Sequence, residues 1–195
     1  NLFPAKTVFY YDNNNNIIKM EKDRRSPGTT GQLYTYLFTY NQNTIDRKLI
    51  SNQDPNVIED HIRYTFNSNG FLTTYHDFSE FQPSPNTIEI NTNLYATFEY
   101  DSNNNIIQIK KTLYGTHDLS DSAPNSINTS IITYQYDNKT NPLYQIYRNH
   151  YLNYVFNNEA PYGILNGSFQ DRIVFNGANN LIKTTYIVNE NVGTP

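Results

Sequence analysis

Apolar and polar residues alternate along most of this chain, and asparagine-rich clusters interrupt the alternation. Side chains on a strand point to opposite faces in turn, so a period of two reads as half-buried β-strand. In Tyr34-Thr35-Tyr36-Leu37-Phe38-Thr39-Tyr40 the rings fall on one face, with Thr35, Leu37 and Thr39 on the other. Phe98 and Tyr100 share a face, as do Tyr134 and Tyr136. One unit recurs: a strand ending in an aromatic residue, a turn rich in Asn and Asp, and a second alternating strand. The clearest copies run from Thr7 to Met20 and from Ala96 to Ile109, with an Ile six positions after the anchors Tyr11 and Tyr100. Looser copies surround Tyr40, Phe66, Tyr136 and Phe175. Asn, Asp and Gly tolerate the positive φ of tight turns, and Asx side chains bond their own backbone, so Asn13 to Asn16 reads as a hairpin tip.

The six anchors lie 29, 26, 34, 36 and 39 residues apart, too irregular for a strict solenoid. Polar, Pro-bearing stretches read as loops between hairpins: Arg25 to Gly31, Asn52 to Asn56, Gln82 to Thr87, and Thr116 to Asn128. No segment has a helical stripe. Only Asp54 to His61, with Pro55 early and Glu59 and Asp60 following, carries signs of a short helix. Six hairpins in sequence order make an antiparallel meander of about twelve strands, and a sheet of that size tends to curl or close to remove its edges. The expectation is an all-β chain, a single hairpin-repeat domain over 1–195, strongly curved or closed into a barrel-like sheet.

Composition changes that picture little. Hydrophobic residues make up 37%, which alone would hint at disorder, but 18 Tyr and 11 Phe supply large rings for a core. Charge is sparse at 16%, the net charge is -4, and there is no basic stripe, which argues against nucleic acid as a partner. The polar load falls on Asn, Thr, Ser and Gln; Asn is roughly one residue in six. The absence of Cys removes disulfides, thiolate nucleophiles and thiolate metal sites together. No apolar run approaches the ~20 residues of a membrane helix. A membrane-spanning barrel would need an unbroken outward apolar band, which Gln108, Lys110 and Gln135 interrupt.

Tyr100-Asp101-Ser102-Asn103-Asn104-Asn105-Ile106 and Tyr136-Asp137-Asn138-Lys139-Thr140-Asn141-Pro142 resemble the Tyr-Asp (YD) repeats of Rhs-type proteins. More closely, the chain resembles extracytoplasmic lipoproteins of Bacteroidetes with degenerate Tyr-Asp hairpins, a family of unknown function described as porin-like in fold. That resemblance implies export to the periplasm or cell surface and lipid anchoring through a segment upstream of Asn1. It supplies no catalytic residue. Phe66-Asn67 and Phe175-Asn176 depart from the Tyr-Asp pattern, which speaks against a chemical task for each pair.

The candidate chemistry is thin. Asp12-x-Asn14-x-Asn16 and Asp101-x-Asn103-x-Asn105 match the first oxygens of a calcium loop. Its sixth position should be Gly and its twelfth Glu, but Ile17 and Ile106, then Asp23 and Thr112, stand there, so hairpin tips are the better reading. His61, His76, His117 and His150 show no metal-ligand spacing and read as surface histidines. Gly163 to Ser168 is not a nucleophile elbow, and Gly28-Thr29-Thr30-Gly31 lacks the Lys of a phosphate loop. A carboxylate pair for glycoside hydrolysis could be drawn from Glu59, Glu80, Glu89, Glu99 and Glu159, but such pairs are defined in space. Tyr114, Tyr147, Tyr151 and Tyr162 lie near loops and are the better exposed rings for stacking on a ligand. Asp121-Ser122-Ala123 resembles a Bacteroidetes O-glycosylation acceptor, and Asn128, Asn138 and Asn166 begin N-glycan triplets that arise by chance in an Asn-rich chain. Together these point to a non-enzymatic cell-envelope module without cofactor, a scaffold or binding domain for glycan or protein. The rival is an envelope hydrolase acting on glycans through an unlocated carboxylate pair.

Overall fold

The computed structural model describes residues 6–23, 33–84, 87–115, 126–141 and 178–191. Within them the chain forms β1 (Lys6–Tyr11), β2 (Ile17–Asp23), β3 (Leu33–Asn41), β4 (Thr44–Ile50), β5 (Ile58–Phe66), β6 (Leu72–Ser84), β7 (Thr87–Tyr100), β8 (Ile106–Tyr114), β9 (Ile127–Thr140) and β10 (Asn179–Asn191). They make one ten-stranded antiparallel sheet in which every strand pairs only with its sequence neighbours. The meander read from the alternation is therefore present.

Two expectations need correction. The described strands number ten, not about twelve, and the sheet is open rather than closed or strongly curled. The first follows from the C-terminal third. β9 comes from the copy anchored at Tyr136 and β10 from the outgoing half of the copy anchored at Phe175, and the two pair with each other. The outgoing half expected after Pro142 lies outside the described residues. The second follows from the edges. Ten strands stay within the range in which an open twisted sheet is stable, and closure would have to match a six-residue β1 to a thirteen-residue β10.

Local expectations fare unevenly. Asp54 to His61 is not a helix: Val57 N–H donates to the Asp54 carbonyl in a turn, and β5 starts at Ile58. Ile58, Asp60, Ile62 and Tyr64 alternate faces with Glu59, His61 and Arg63, and pairing on both sides overrides the Pro-led helix signal. Gln82 to Ser84 end β6 and Thr87 begins β7, so these residues are strand rather than loop; Pro83 sits where the β6–β7 register slips, which tolerates its missing N–H. Residues 25–31 and 116–125 lie outside the described residues.

Four of the hairpins share one register. Tyr10 pairs with Lys19 and Tyr11 with Ile17, leaving Ile18 bulged. The same slip leaves out Thr73 opposite Phe66, Ile107 opposite Tyr100 and Ile182 opposite Tyr136. Each bulge adds one residue to the outgoing strand and increases local twist. The β3–β4 hairpin differs. Asn41 pairs with Thr44 across a two-residue turn, with Gln42 at φ 48°.

The core lies on one face. Met20, Tyr36, Phe38, Ile62, Tyr64, Tyr75, Ala96, Phe98, Ile109 and Ile132 are buried there in one cluster. At ~1.5–3 kcal/mol for each large buried apolar side chain, this cluster supplies most of the drive for folding. Phe78 is only 2% exposed yet stands apart from the cluster, because it pairs with His61 on the opposite face.

Candidate functional site

The turns explain the Tyr-Asp motif. Asp101 Oδ1 accepts hydrogen bonds from the Asn103 and Asn105 backbone N–H groups (2.8 and 2.9 Å), and Oδ2 accepts one from Asn105 Nδ2 (2.8 Å). Asp12 holds Asn14 and Asn16 in the same way, and Asn67 Oδ1 accepts from Asn69 and Phe71. Asn15, Gly70 and Asn104 take the positive φ that the tips require, at 63°, 81° and 66°. The Asn16 side chain and backbone, then Asn14, hold the Asp12 carboxyl below its ordinary range. These carboxylate oxygens are engaged by N–H donors from their own loops, which is the geometry of a hairpin tip.

The tyrosine of the motif ties successive hairpins together. Tyr40 hydroxyl donates to the Ile17 carbonyl (2.9 Å), Tyr100 to Leu72 (2.8 Å) and Tyr136 to Ile106 (2.8 Å). In each case the acceptor is the first residue of the preceding outgoing strand. Where Phe66 replaces Tyr, the junction is made by other groups: Asn43 Nδ2 donates to the Phe66 carbonyl (3.0 Å), and Phe66 N–H to the Asn43 carbonyl (2.8 Å).

The fifth turn has the same scheme but is split. Asp137 Oδ1 accepts from Lys139 N–H (3.0 Å) and, across a long stretch of sequence, from Asn180 N–H (3.2 Å); Oδ2 accepts from Asn180 Nδ2 (3.3 Å). Asn180 thus occupies the place of Asn16 and Asn105, with the chain from residue 142 to 177 inserted between the two halves of one turn. Burial opposes ionisation of Asp137, but the Lys139 and Asn180 donors prevail and hold its carboxyl below the usual range. The neighbouring turns are then stitched together. Asn105, 1% exposed, donates to Asn179 Oδ1 (2.9 Å) and accepts from Asn179 N–H (2.9 Å), while Asn179 Nδ2 reaches the Lys139 carbonyl (3.1 Å).

A cleft of about 500 Å³ opens at this junction, lined by Asp101, Asn103, Asn105, Ile107, Tyr134, Gln135, Tyr136, Asp137, Asn138, Asn179 and Ile182. Amides and carboxylates make up most of its wall, with two tyrosines and two isoleucines. Burial, with Tyr134, Asp101 and Tyr100 nearby, pushes the Tyr136 phenol up, so it stays a neutral donor.

Two polar clusters lie elsewhere. On the face away from the core, His61 Nδ1 meets Glu80 Oε1 (2.6 Å) and Nε2 meets Asp46 Oδ1 (3.0 Å). Arg63 grips Asp46 with two bonds (2.8 and 3.2 Å), and the His61 and His76 rings flank Phe78 at 4.2 and 4.5 Å. His61 is 2% exposed, so the surface reading of the histidines is wrong for it; the β5–β6 register carries it under Phe78. Burial first, then the charges of Arg63 and His61, push the His76 imidazole down, and its Nε2 contacts Thr92 Oγ1 (2.9 Å). With both His61 nitrogens engaged by carboxylates, this ring has no nitrogen left to activate a nucleophile.

On the core face, Arg47 lies 1% exposed, with Nη2 3.4 Å from Asp60 Oδ2 and its guanidinium over Tyr36. The hydroxyls of Tyr64 and Tyr75 lack hydrogen-bond partners among the described residues. Burial raises the carboxyls of both Asp60 and Asp77, which are diagonal neighbours across β5 and β6. The raised carboxylates are therefore aspartates, not the glutamates singled out from the sequence. Glu80 is engaged with His61 and Lys48, Glu59 and Glu99 are exposed, the side chain of Glu89 is outside the described set, and Glu159 lies outside the described residues. Alternation places Asp60 with Ile62 and Tyr64, a signal that was present in the sequence, but only the register brings Asp77 beside it.

Tyr114 ends β8 half-buried opposite Ile127 and does not line the cleft. Tyr147, Tyr151, Tyr162, His117, His150, Gly28 to Gly31, Gly163 to Ser168, Asn166 and Asp121-Ser122-Ala123 lie outside the described residues. Asn128 stands in β9, and Asn138 is exposed at the cleft. Among the described residues no three His, Asp or Glu side chains are grouped to hold a metal ion, and no helix is long and apolar enough to cross a membrane. A scan of protein-family models finds no match to this chain, and a search of curated proteins finds no relative.

Proposed function

We propose that this chain is a non-enzymatic cell-envelope module that binds a glycan through the cleft at the split turn. The observation that carries the reading is the cleft itself. Exposed Asn103, Gln135 and Asn138 offer amide donors and acceptors beside tyrosine rings, on turns held by their own hydrogen bonds. Neutral hydroxyl-rich ligands are matched by such amides, and a preformed wall keeps the ordering cost of binding low. The two carboxylates in the wall are poor acid–base candidates. A glycoside hydrolase needs one carboxyl raised to act as the acid, whereas Asp137 is held down by N–H donors and Asp101 accepts three hydrogen bonds within its turn. Export and lipid anchoring belong to the same proposal and rest on the Tyr-Asp resemblance.

The test is a thermal-shift and calorimetric screen of the chain against a panel of neutral and acidic oligosaccharides, repeated with Gln135→Ala and Asn138→Ala. Binding raises the melting temperature by mass action. The proposal expects a shift with one glycan class that both substitutions reduce while leaving the unliganded melting temperature unchanged. A shift insensitive to both moves the site elsewhere, and no shift with any glycan defeats the glycan reading. One observation favours a second reading: Asp60 and Asp77 are diagonal neighbours across β5 and β6, and burial raises both carboxyls, as a general acid requires. Glycan cleavage abolished by Asp60→Asn or Asp77→Asn would establish it.

A further inference from the structure

The clamp between hairpins has a donor side and an acceptor side, and among the described residues the two edges of the sheet each retain one of them. At the three clamped junctions, an anchor tyrosine gives its hydroxyl to the first residue of the preceding outgoing strand: Ile17, Leu72 or Ile106. Leu181 holds the corresponding place on β10, paired with Tyr136 as Ile17 is with Tyr11 and Ile106 with Tyr100. Among the described residues no strand lies beyond β10 to supply a tyrosine. At the other edge, Tyr11 is an anchor tyrosine, 57% exposed, and among the described residues no hairpin precedes it.

We infer that β10 of one copy takes β1 of a second copy, with the second copy's Tyr11 hydroxyl donating to the Leu181 carbonyl. The parity of the sheet permits this. With ten strands, repeating the molecule along the sheet sets β1 antiparallel to β10, as at every internal junction; an odd number would set them parallel. The register carries over as well. At the clamped junctions the anchor tyrosine sits one residue past the position directly opposite the acceptor residue. Applied to the new junction, that rule sets Lys183 opposite Val8 of the second copy. The edge strand is suited to pairing. β10 is thirteen residues long, with Ile182, Tyr186 and Ile187 exposed at 62%, 57% and 49%, whereas protected edges are short or densely charged. The contact joins unlike edges, so it propagates into short head-to-tail oligomers rather than closing as a symmetric dimer.

Cross-linking tests this directly, because the natural chain has no Cys. Within one open sheet β1 and β10 are nine strand spacings apart, about 40 Å, far beyond disulfide reach. Val8→Cys combined with Lys183→Cys is therefore expected to give a ladder of reducible oligomers under mild oxidation, while each single variant stays largely monomeric. Sedimentation velocity of the cysteine-free chain should show concentration-dependent association, weakened about fivefold by Tyr11→Phe, the loss of one net hydrogen bond. Tyr11 is exposed, so Tyr11→Phe should leave the melting temperature of the monomer unchanged. A chain that stays monomeric at high concentration and forms no ladder overturns the inference, as does efficient cross-linking of Val8→Cys alone, which would signal a symmetric β1–β1 contact.

Discussion

The turns at Asp101 and Asp137 are built from the same parts and differ in what they enclose. In both, one aspartate oxygen gathers two backbone N–H groups and the other takes an asparagine amide. In the first, the closing residue, Asn105, is four positions on; in the second it is Asn180, 43 positions away. The bulge register is also the same, Tyr100 with Ile106 and Tyr136 with Leu181. A hairpin end therefore does not need a continuous chain through its tip. Once flanking strands fix the ladder, an aspartate clamp can hold two segments that are distant in sequence, and extra loop length adds only slowly to the entropy lost on closure. The cleft exists because one closed tip and one opened tip stand side by side.

The largest effect should come from the group shared by both turns. Asn105→Ala removes the amide that satisfies Asp101 and pairs with Asn179, leaving buried partners unsatisfied, and is expected to cost about 2–3 kcal/mol in urea unfolding. A loss below that of an ordinary surface substitution would mean that the two turns are not stitched together. Next are the clamps. Tyr100→Phe and Tyr136→Phe should each cost about 1 kcal/mol. Similar losses on the two sides of the junction would show that the insertion does not slacken the ladder; a much smaller loss for Tyr136→Phe would show that it does.

Asp137→Ala should act locally. Its effect is expected as faster hydrogen exchange at the Lys139 and Asn180 amides, with global unfolding little changed, whereas Asp101→Ala should speed exchange at Asn103 and Asn105. Exchange at Asn180 unaffected by Asp137→Ala would break the equivalence of the two turns.

The smallest effect is on pH dependence, where the signs differ between regions. Asp12 and Asp137 have lowered folded-state values, so their stabilisation is present above the ordinary carboxylate range and is lost as pH falls through the folded values. Asp60 and Asp77 have raised values, so the stability linked to their protonated forms is present in acid and lost as pH rises through the folded values. Melting temperature against pH should therefore rise more steeply from acid toward neutrality in Asp77→Asn than in the natural chain, and less steeply in Asp12→Asn. Identical profiles in both variants would refute the opposed shifts.

Much of this was legible in the residues. The Tyr11 and Tyr100 hairpins, the loop at Asn52 to Asn56 and the turn role of the Asp-x-Asn-x-Asn runs were each carried by contacts within a few positions. What failed was non-local. The Tyr136 copy looks like a continuous hairpin, and nothing local says that Asp137 reaches Asn180. His61 reads as a surface histidine because no metal-ligand spacing surrounds it; the residues that bury it, Phe78 and Glu80, come from another strand.

By itself the sequence determined the strand periodicity, the aromatic core, the antiparallel order and the chemistry of each continuous tip, because alternation and Asx turns act over two to four residues. Only the tertiary structure decided that β9 pairs with β10, that the sheet stays open, which carboxyls are pushed up, and where a cleft forms. Those depend on register. A slip of one residue exchanges the two faces of a strand, and register is set by neighbouring strands whose pairing no local pattern encodes.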